Sequence, residues 1–212
     1  MFGYFIKKLK HPDSFVSLWL FRFLTQINKQ VNMTTLGMMR LKGGEHVLEI
    51  DSGGGDLIQF IRDNHRDVQI TSLNATEKAC NLIRKRFRRD IQDKRLMVMK
   101  SAGNELPLPD ESCDRVSSVN RIYFLYDESE NISLQEIMRV LKPGGRIVIG
   151  YRHAERLPGF MRNNKHILIP DKEKIEAALR NAGFERVSSA YVNKRNEIHF
   201  FVTSGFRKKN AD

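Results

Sequence analysis

Glu49, Asp51, Gly53, Gly54 and Gly55 stand within seven residues, between the apolar run Val47-Leu48-Glu49-Ile50 and the apolar-periodic segment Leu57-Ile58-Gln59-Phe60-Ile61. A strand, a glycine turn and a helix in that order let a backbone pass close to a nucleotide-like ligand, because a Cβ would block both the turn and the approach. The helix start favours an anionic group on that ligand. The dinucleotide pattern G-x-G-x-x-G is absent. Other residues able to do chemistry lie further on. Tyr123 could orient a substrate or move a proton, although an unperturbed phenol with a pKa of about 10 is a poor match to neutral pH; its alternative is aromatic packing. His153 could be a general base, against the alternative of a solvated surface histidine. The stretch from Arg152 to Pro170 carries His153, Arg156, Arg162, Lys165 and His166, and its arginines suit an anionic substrate. No His/Cys/carboxylate cluster points to a metal, and no Ser/His/Asp order points to a hydrolase.

The elements that must position these residues alternate. Strand signals at 46–50, Val68–Leu73, Arg95–Met99, Arg115–Val119 and Arg146–Tyr151 are interleaved with helix signals at 55–64, Thr76–Arg88 and Ser133–Leu141. Lys142-Pro143-Gly144-Gly145 reads as a sharp turn. A helix from Asp171 to Ala182 ends at Gly183, and runs at Val187–Val192 and Glu197–Thr203 close the pattern around the polar turn Asn193-Lys194-Arg195-Asn196. Alternation predicts an α/β fold with a parallel sheet and helices on both faces. The four-residue final link permits only an antiparallel hairpin. Residues 1–45 read as a helical cap: an apolar face from Phe15 to Ile27, then a helix from Val31 to Leu41 stopped by Lys42-Gly43-Gly44. We take 1–212 as one domain, with the cap at 1–45, a core at 46–204 and a basic tail at 205–212.

The chain has 212 residues and a formal net charge of +11. That balance suits nucleic acid, an anionic membrane surface or acidic ligands, but the basic residues are spread out and no arginine–aromatic interleaving marks a single-strand groove. Cys80 and Cys113 lack metal-site spacing and read as reduced thiols, hence a cytoplasmic protein. The run from Phe15 to Leu24 is too short to span a bilayer and lacks a cleavage site. With Lys7, Lys8, Lys10 and Arg22 it could instead lie on a membrane surface, or act as a lid over the ligand.

Four segments in register carry a family resemblance: Glu49 to Gly55, which is similar to E-x-G-x-G-x-G; Leu106-Pro107-Leu108-Pro109-Asp110-Glu111-Ser112-Cys113-Asp114-Arg115-Val116; Arg139-Val140-Leu141-Lys142-Pro143-Gly144-Gly145; and Ala182-Gly183-Phe184. Over residues 31–203 the chain resembles class I S-adenosylmethionine (SAM) dependent methyltransferases, in the type 11 small-molecule branch that includes quinone-biosynthesis enzymes. The resemblance implies a Rossmann-like seven-stranded sheet of order 3-2-1-4-5-7-6 with strand 7 antiparallel. It implies SAM as cofactor, S-adenosylhomocysteine as product, and a small-molecule acceptor, apolar or anionic. Methyltransferases acting on base exocyclic amines carry N/D-P-P-Y/F after strand four. Asn120 to Tyr126 lacks it, which argues against a nucleic-acid substrate.

The same resemblance places Glu49, Asp51, Gly53 and Gly55 around the methionine end of SAM, Asn74 at the ribose, Ala102 and Gly103 at the adenine with Asn104 nearby, and Asn120 and Tyr123 beside the methyl group. Three positions depart from the pattern: Asp51 replaces a glycine, Asn74 an acidic residue and Ala102 an aspartate. These substitutions leave a second function open, a catalytically silent relative acting by partner or membrane-surface binding.

Overall fold

The computed structural model describes residues 28–101, 105–120, 133–157, 171–194 and 197–209. The expected helix from Phe15, the membrane-surface reading of Lys7 to Arg22, Ala102, Gly103, Asn104 and Tyr123, and loop residues 158–170 lie outside that set. Helix α1 covers 28–39. There follow β1 (His46–Ile50), α2 (Asp56–Asn64), β2 (Gln69–Asn74), α3 (Glu77–Arg86), α4 (Arg88–Gln92), β3 (Leu96–Lys100), β4 (Cys113–Val119), α5 (Leu134–Val140), β5 (Leu141–Arg152), α6 (Lys172–Asn181), β6 (Glu185–Lys194) and β7 (Glu197–Phe206). The sheet has the expected order β3-β2-β1-β4-β5-β7-β6. β7 runs antiparallel to β5 and β6, and the other pairs are parallel.

Period-two burial sorts the strands onto two faces. Leu48, Ile50, Val116, Ile147 and Ile149 pack with Ile137, Val140, Ile175 and Leu179 of α5 and α6. Val47, Val148 and Val202 pack with Val31 and Met39 of α1, Leu57, Ile58 and Ile61 of α2, and Ile83 of α3. Side-chain caps start three helices: Thr76 accepts from the Ala79 N–H, Ser133 from Glu136 and Asp171 from Lys174.

Four local differences from the sequence reading have physical causes. The helix expected over Thr76–Arg88 breaks at Phe87 (φ −113°) and restarts as α4, with the Phe87 ring buried. β5 begins at Leu141 rather than Arg146; Leu141 pairs with Cys113, and the Lys142–Gly145 turn survives as a register shift with Gly144 at φ 77°. The final hairpin pairs as far as Lys194 and Glu197, so Asn193 and Lys194 belong to the ladder and not to a turn. Helix α1 starts before Val31 and ends before Leu41.

Helix α1 is held at both ends of its contact with the sheet. Its last carbonyls, left open by the helix geometry, are met by paired arginines of adjacent strands: Arg146 donates to Met38 O, and Arg115 Nε donates to Met39 O at 2.7 Å. Cations at a helix C-terminus are favourable. Arg115 is fixed in turn by Glu45 at 2.7 Å. Earlier in the helix, Thr35 and Val31 press against Gly150, where an added Cβ would fall 2.8 Å from each. α1 therefore runs antiparallel to β4 and β5, and its amino end points to the carboxyl edge of the sheet. Arg115→Ala removes charge-assisted bonds from a largely buried position, and we expect a loss of about 2 kcal/mol in urea denaturation; an unchanged midpoint would mean that α1 does not need this cap.

Candidate functional site

The carboxyl edge of β1 is built by backbone geometry first. The Asp51 N–H donates to Leu73 O at 2.7 Å, which carries the parallel ladder one residue past β1. The chain then turns through left-handed residues at alternate positions: Asp51 (φ 58°), Gly53 (φ 55°) and Gly55 (φ 80°). These are the three glycine positions of E-x-G-x-G-x-G, so Asp51 adopts the glycine conformation that its position demands. Aspartate visits this region more readily than most residues. Left-handed residues at every second position can bring the intervening N–H groups into a concavity suited to an anion.

The two glycines serve different ends. An added Cβ on Gly53 would meet nothing within 4 Å. On Gly55 it would fall 2.5 Å from the Phe87 ring and 2.9 Å from Ile83. The Gly55 N–H donates to Ser52 O at 2.7 Å. Gly55 thus closes the turn and lets α3 approach, and its N–H is taken up within the loop.

Glu49 is 2% exposed, and the Ser117 hydroxyl donates to its Oε2. Burial pushes its pKa up to about 8; the Ser117 bond works against that and neighbouring Asp51 adds to it. Register places Ser72 and Ser117 on either side of Glu49. Asn74, at the end of β2, is 1% exposed. Its Nδ2 donates to Ser72 Oγ at 2.9 Å, and Ser72 and Ser52 share a hydroxyl bond of 2.6 Å, tying β2 to the glycine turn.

Buried polar atoms normally have partners. Among the described residues Asn74 Oδ1, Ser118 Oγ, Asn120 Oδ1 and Thr35 Oγ1 have none. Asn74 ends β2, Ser118 is the last residue but one of β4, Asn120 directly follows β4, and Thr35 faces Gly150 of β5. Asn120 is also left-handed (φ 59°), and its N–H donates to Gly150 O at 2.7 Å. Oxygens left unpaired at the carboxyl ends of the central strands fit a ligand rich in hydroxyl and N–H donors, such as the ribose and ammonium groups of SAM.

His153 follows β5 at the same edge. Its Nδ1 accepts from the Glu155 N–H at 3.3 Å, capping the single 3-10 turn Ala154–Arg156, and its ring lies 5.5 Å from that of Phe201. Arg156 is ion-paired with Glu197. No group of three His, Cys, Asp or Glu residues is placed to hold a metal among the described residues, and none of the described helices is long and apolar enough to cross a membrane. The sequence reading missed Ser52, Ser72, Ser117 and Thr35. For Ser72, Ser117 and Thr35 the available signal was a hydroxyl residue inside an otherwise apolar strand or on the buried side of a helix.

Residues 48–149 match the family model described as "Methyltransferase domain". The chain is 25% identical over 179 residues to an uncharacterized methyltransferase, YdaC, of Bacillus subtilis, covering 84% of this chain and 92% of that one. It is 27% identical over 169 residues to the 27-O-demethylrifamycin SV methyltransferase of Amycolatopsis mediterranei, covering 74% of this chain but only 60% of that protein. A SAM dependent methyltransferase from Aquifex aeolicus superimposes with a TM-score of 0.66 at 18% identity, over 87% of this chain and 95% of that chain. Sheet order, glycine loop and family model agree: residues 48–149 carry a methyltransferase domain, in the fold of class I S-adenosylmethionine-dependent methyltransferases.

Proposed function

We propose that the protein transfers a methyl group from SAM to an O, N or C nucleophile of a small molecule. The observation that carries this reading is the carboxyl edge of the sheet: a glycine loop with three left-handed residues directly after a buried Glu49, with the unpaired oxygens of Asn74 and Asn120 at the ends of the two strands that flank β1. The rifamycin relative is by its name a methyltransferase of a small molecule, which supports the acceptor class. SAM supplies an electrophilic methyl on a sulfonium. Transfer is an in-line displacement that gains mainly from proximity and orientation, so a site without a catalytic dyad is adequate. Glu49 would face the ammonium, the N–H groups of residues 52–54 the carboxylate, Asn74 Oδ1 a ribose hydroxyl, and Asn120 the region of the methyl group.

Isothermal calorimetry with SAM and S-adenosylhomocysteine tests the cofactor; absence of heat at millimolar ligand would end the enzyme reading in favour of a silent relative. Incubation with methyl-labelled SAM and panels of phenols, amines and carboxylic acids tests the acceptor. Label recovered only in protein or RNA would overturn the small-molecule reading.

Asn74 offers a sharper test. Asn74→Asp replaces the unpaired amide oxygen by a charged acceptor. Without ligand, a carboxylate at a position 1% exposed should lower stability. With SAM it should gain a charge-assisted bond and bind about tenfold tighter. Unchanged or weaker binding would remove Asn74 from the ribose subsite.

A further inference from the structure

We propose that Arg86 is a positioning residue for the cofactor: from the last turn of α3, it locks the glycine loop in the conformation that receives SAM. This rests on the SAM reading of the loop. The loop carries three left-handed residues, one of them not glycine, and such a conformation persists only when its surroundings over-determine it. Within the loop's own half of the fold, the Asp51 N–H is held by Leu73 O, the Ser52 hydroxyl by Ser72, and the Gly55 N–H by Ser52 O. The Gly54 carbonyl points the other way, and Arg86 Nη1 donates to it at 2.5 Å.

That bond acts on one peptide plane. The Gly54 carbonyl and the Gly55 N–H belong to the same planar unit, so they point to opposite sides. Holding the oxygen outward holds the N–H inward, on Ser52 O. With glycine on both sides of the peptide, side-chain sterics offer little resistance to a flip, and the external bond decides the orientation. A flip would disturb the left-handed pattern at residues 51, 53 and 55 on which the N–H concavity depends.

Arg86 is well placed to do this. The same Nη1 donates to Asp56 Oδ1 at 2.8 Å, anchoring the guanidinium to the first residue of α2. Its carbon lies 5.2 Å from the centre of the Phe87 ring, the ring that fills the space left by the missing Cβ of Gly55. Arg86 and Phe87 therefore grip the Gly54–Gly55 peptide from α3, one by a charge-assisted bond and one by contact. Arg86 reaches no atom assigned to the ligand, so its effect is on cofactor affinity and loop order.

The test uses the full chain and its Arg86→Ala and Arg86→Lys variants. Calorimetry gives the Kd for SAM and for S-adenosylhomocysteine, urea denaturation gives the stability without ligand, and hydrogen exchange reports on the amides of residues 52–56. For Arg86→Ala we expect Kd to rise about tenfold, with faster exchange in that segment. Arg86→Lys should recover part of the loss, because an ammonium can meet one acceptor but lacks the guanidinium fork. Lower stability with an unchanged Kd would mean an ordinary structural arginine and would overturn the proposal. If Arg86→Ala fails to fold, Asp56→Asn loosens the guanidinium without removing it; a smaller rise in Kd supports the proposal, and no rise overturns it. Wild-type protein that binds neither ligand would overturn the SAM reading itself, a result distinct from a normal Kd in Arg86→Ala.

Discussion

Gly55→Ala is expected to destabilise the protein by about 3 kcal/mol and to abolish cofactor binding at micromolar concentrations. Two separate effects add. Gly55 sits at φ 80°, where an L side chain costs roughly 1–2 kcal/mol. Its new methyl would also lie 2.5 Å from Cε2 and 3.2 Å from Cζ of Phe87, and 2.9 Å from the end of Ile83. Both neighbours are buried core residues, 4% and 0% exposed, and overpacking such a site costs roughly 1–3 kcal/mol. Relief requires α3 to move away from the loop. Gly53→Ala separates the two effects, because its Cβ meets nothing within 4 Å and only the left-handed strain remains. Urea denaturation of the pair should therefore rank Gly55→Ala well below Gly53→Ala; equal losses would show that contact with Phe87 is not what requires glycine at position 55.

Glu49→Gln should move stability and cofactor binding in opposite directions. The native carboxyl has its pKa raised to about 8, against 4.5 in the unfolded chain. Between those values the folded state holds more protons than the unfolded one, so stability falls as pH rises from about 4.5 to about 8 and then levels off. The ionised form thus costs on the order of 3–5 kcal/mol at pH 9. Glutamine keeps the shape and an acceptor for the Ser117 hydroxyl, and it does not titrate. The variant should be more stable than wild type at pH 8–9, with a flatter profile. Without the anion, SAM affinity should drop at least tenfold. Because the wild-type carboxyl must ionise to meet a cation, binding at pH 7 should release about one proton, and the variant should release none. Calorimetry in buffers of different ionisation enthalpy reads this directly. Equal affinities with equal proton release would take Glu49 out of the cofactor site.

The layers of this fold were legible because each left a periodic trace. Strand alternation, the spacing of helices and the short final link were enough to expect a parallel sheet ending in a hairpin. The glycine loop was legible because its chemistry is local: Glu49 to Gly55 sit next to one another in the chain. Interactions set by register were silent. Arg115 and Arg146 become neighbours only when β4 pairs with β5, and only then do they reach the end of α1. Ser52, Ser72 and Asn74 join into one chain of hydrogen bonds because β2 lies beside β1. Arg86 meets a carbonyl 32 positions earlier. The break at Phe87 belongs to the same group, since a helix propensity does not record that a ring is needed under Gly55.

The position of β7 bears on how the chain comes into being. It is the last described strand in the sequence, yet it lies inside the sheet, bonded on one side to β5 and on the other to β6. Just beyond it, Arg207 donates to the carbonyls of Met138, Arg139 and Leu141 at the end of α5. On a ribosome, a nascent chain that has emerged only as far as β6 lacks the strand that joins β6 to β5 and has an uncapped α5. Open edges invite pairing with other chains, and the facing edges of β5 and β6 stay open until residues 197–207 emerge.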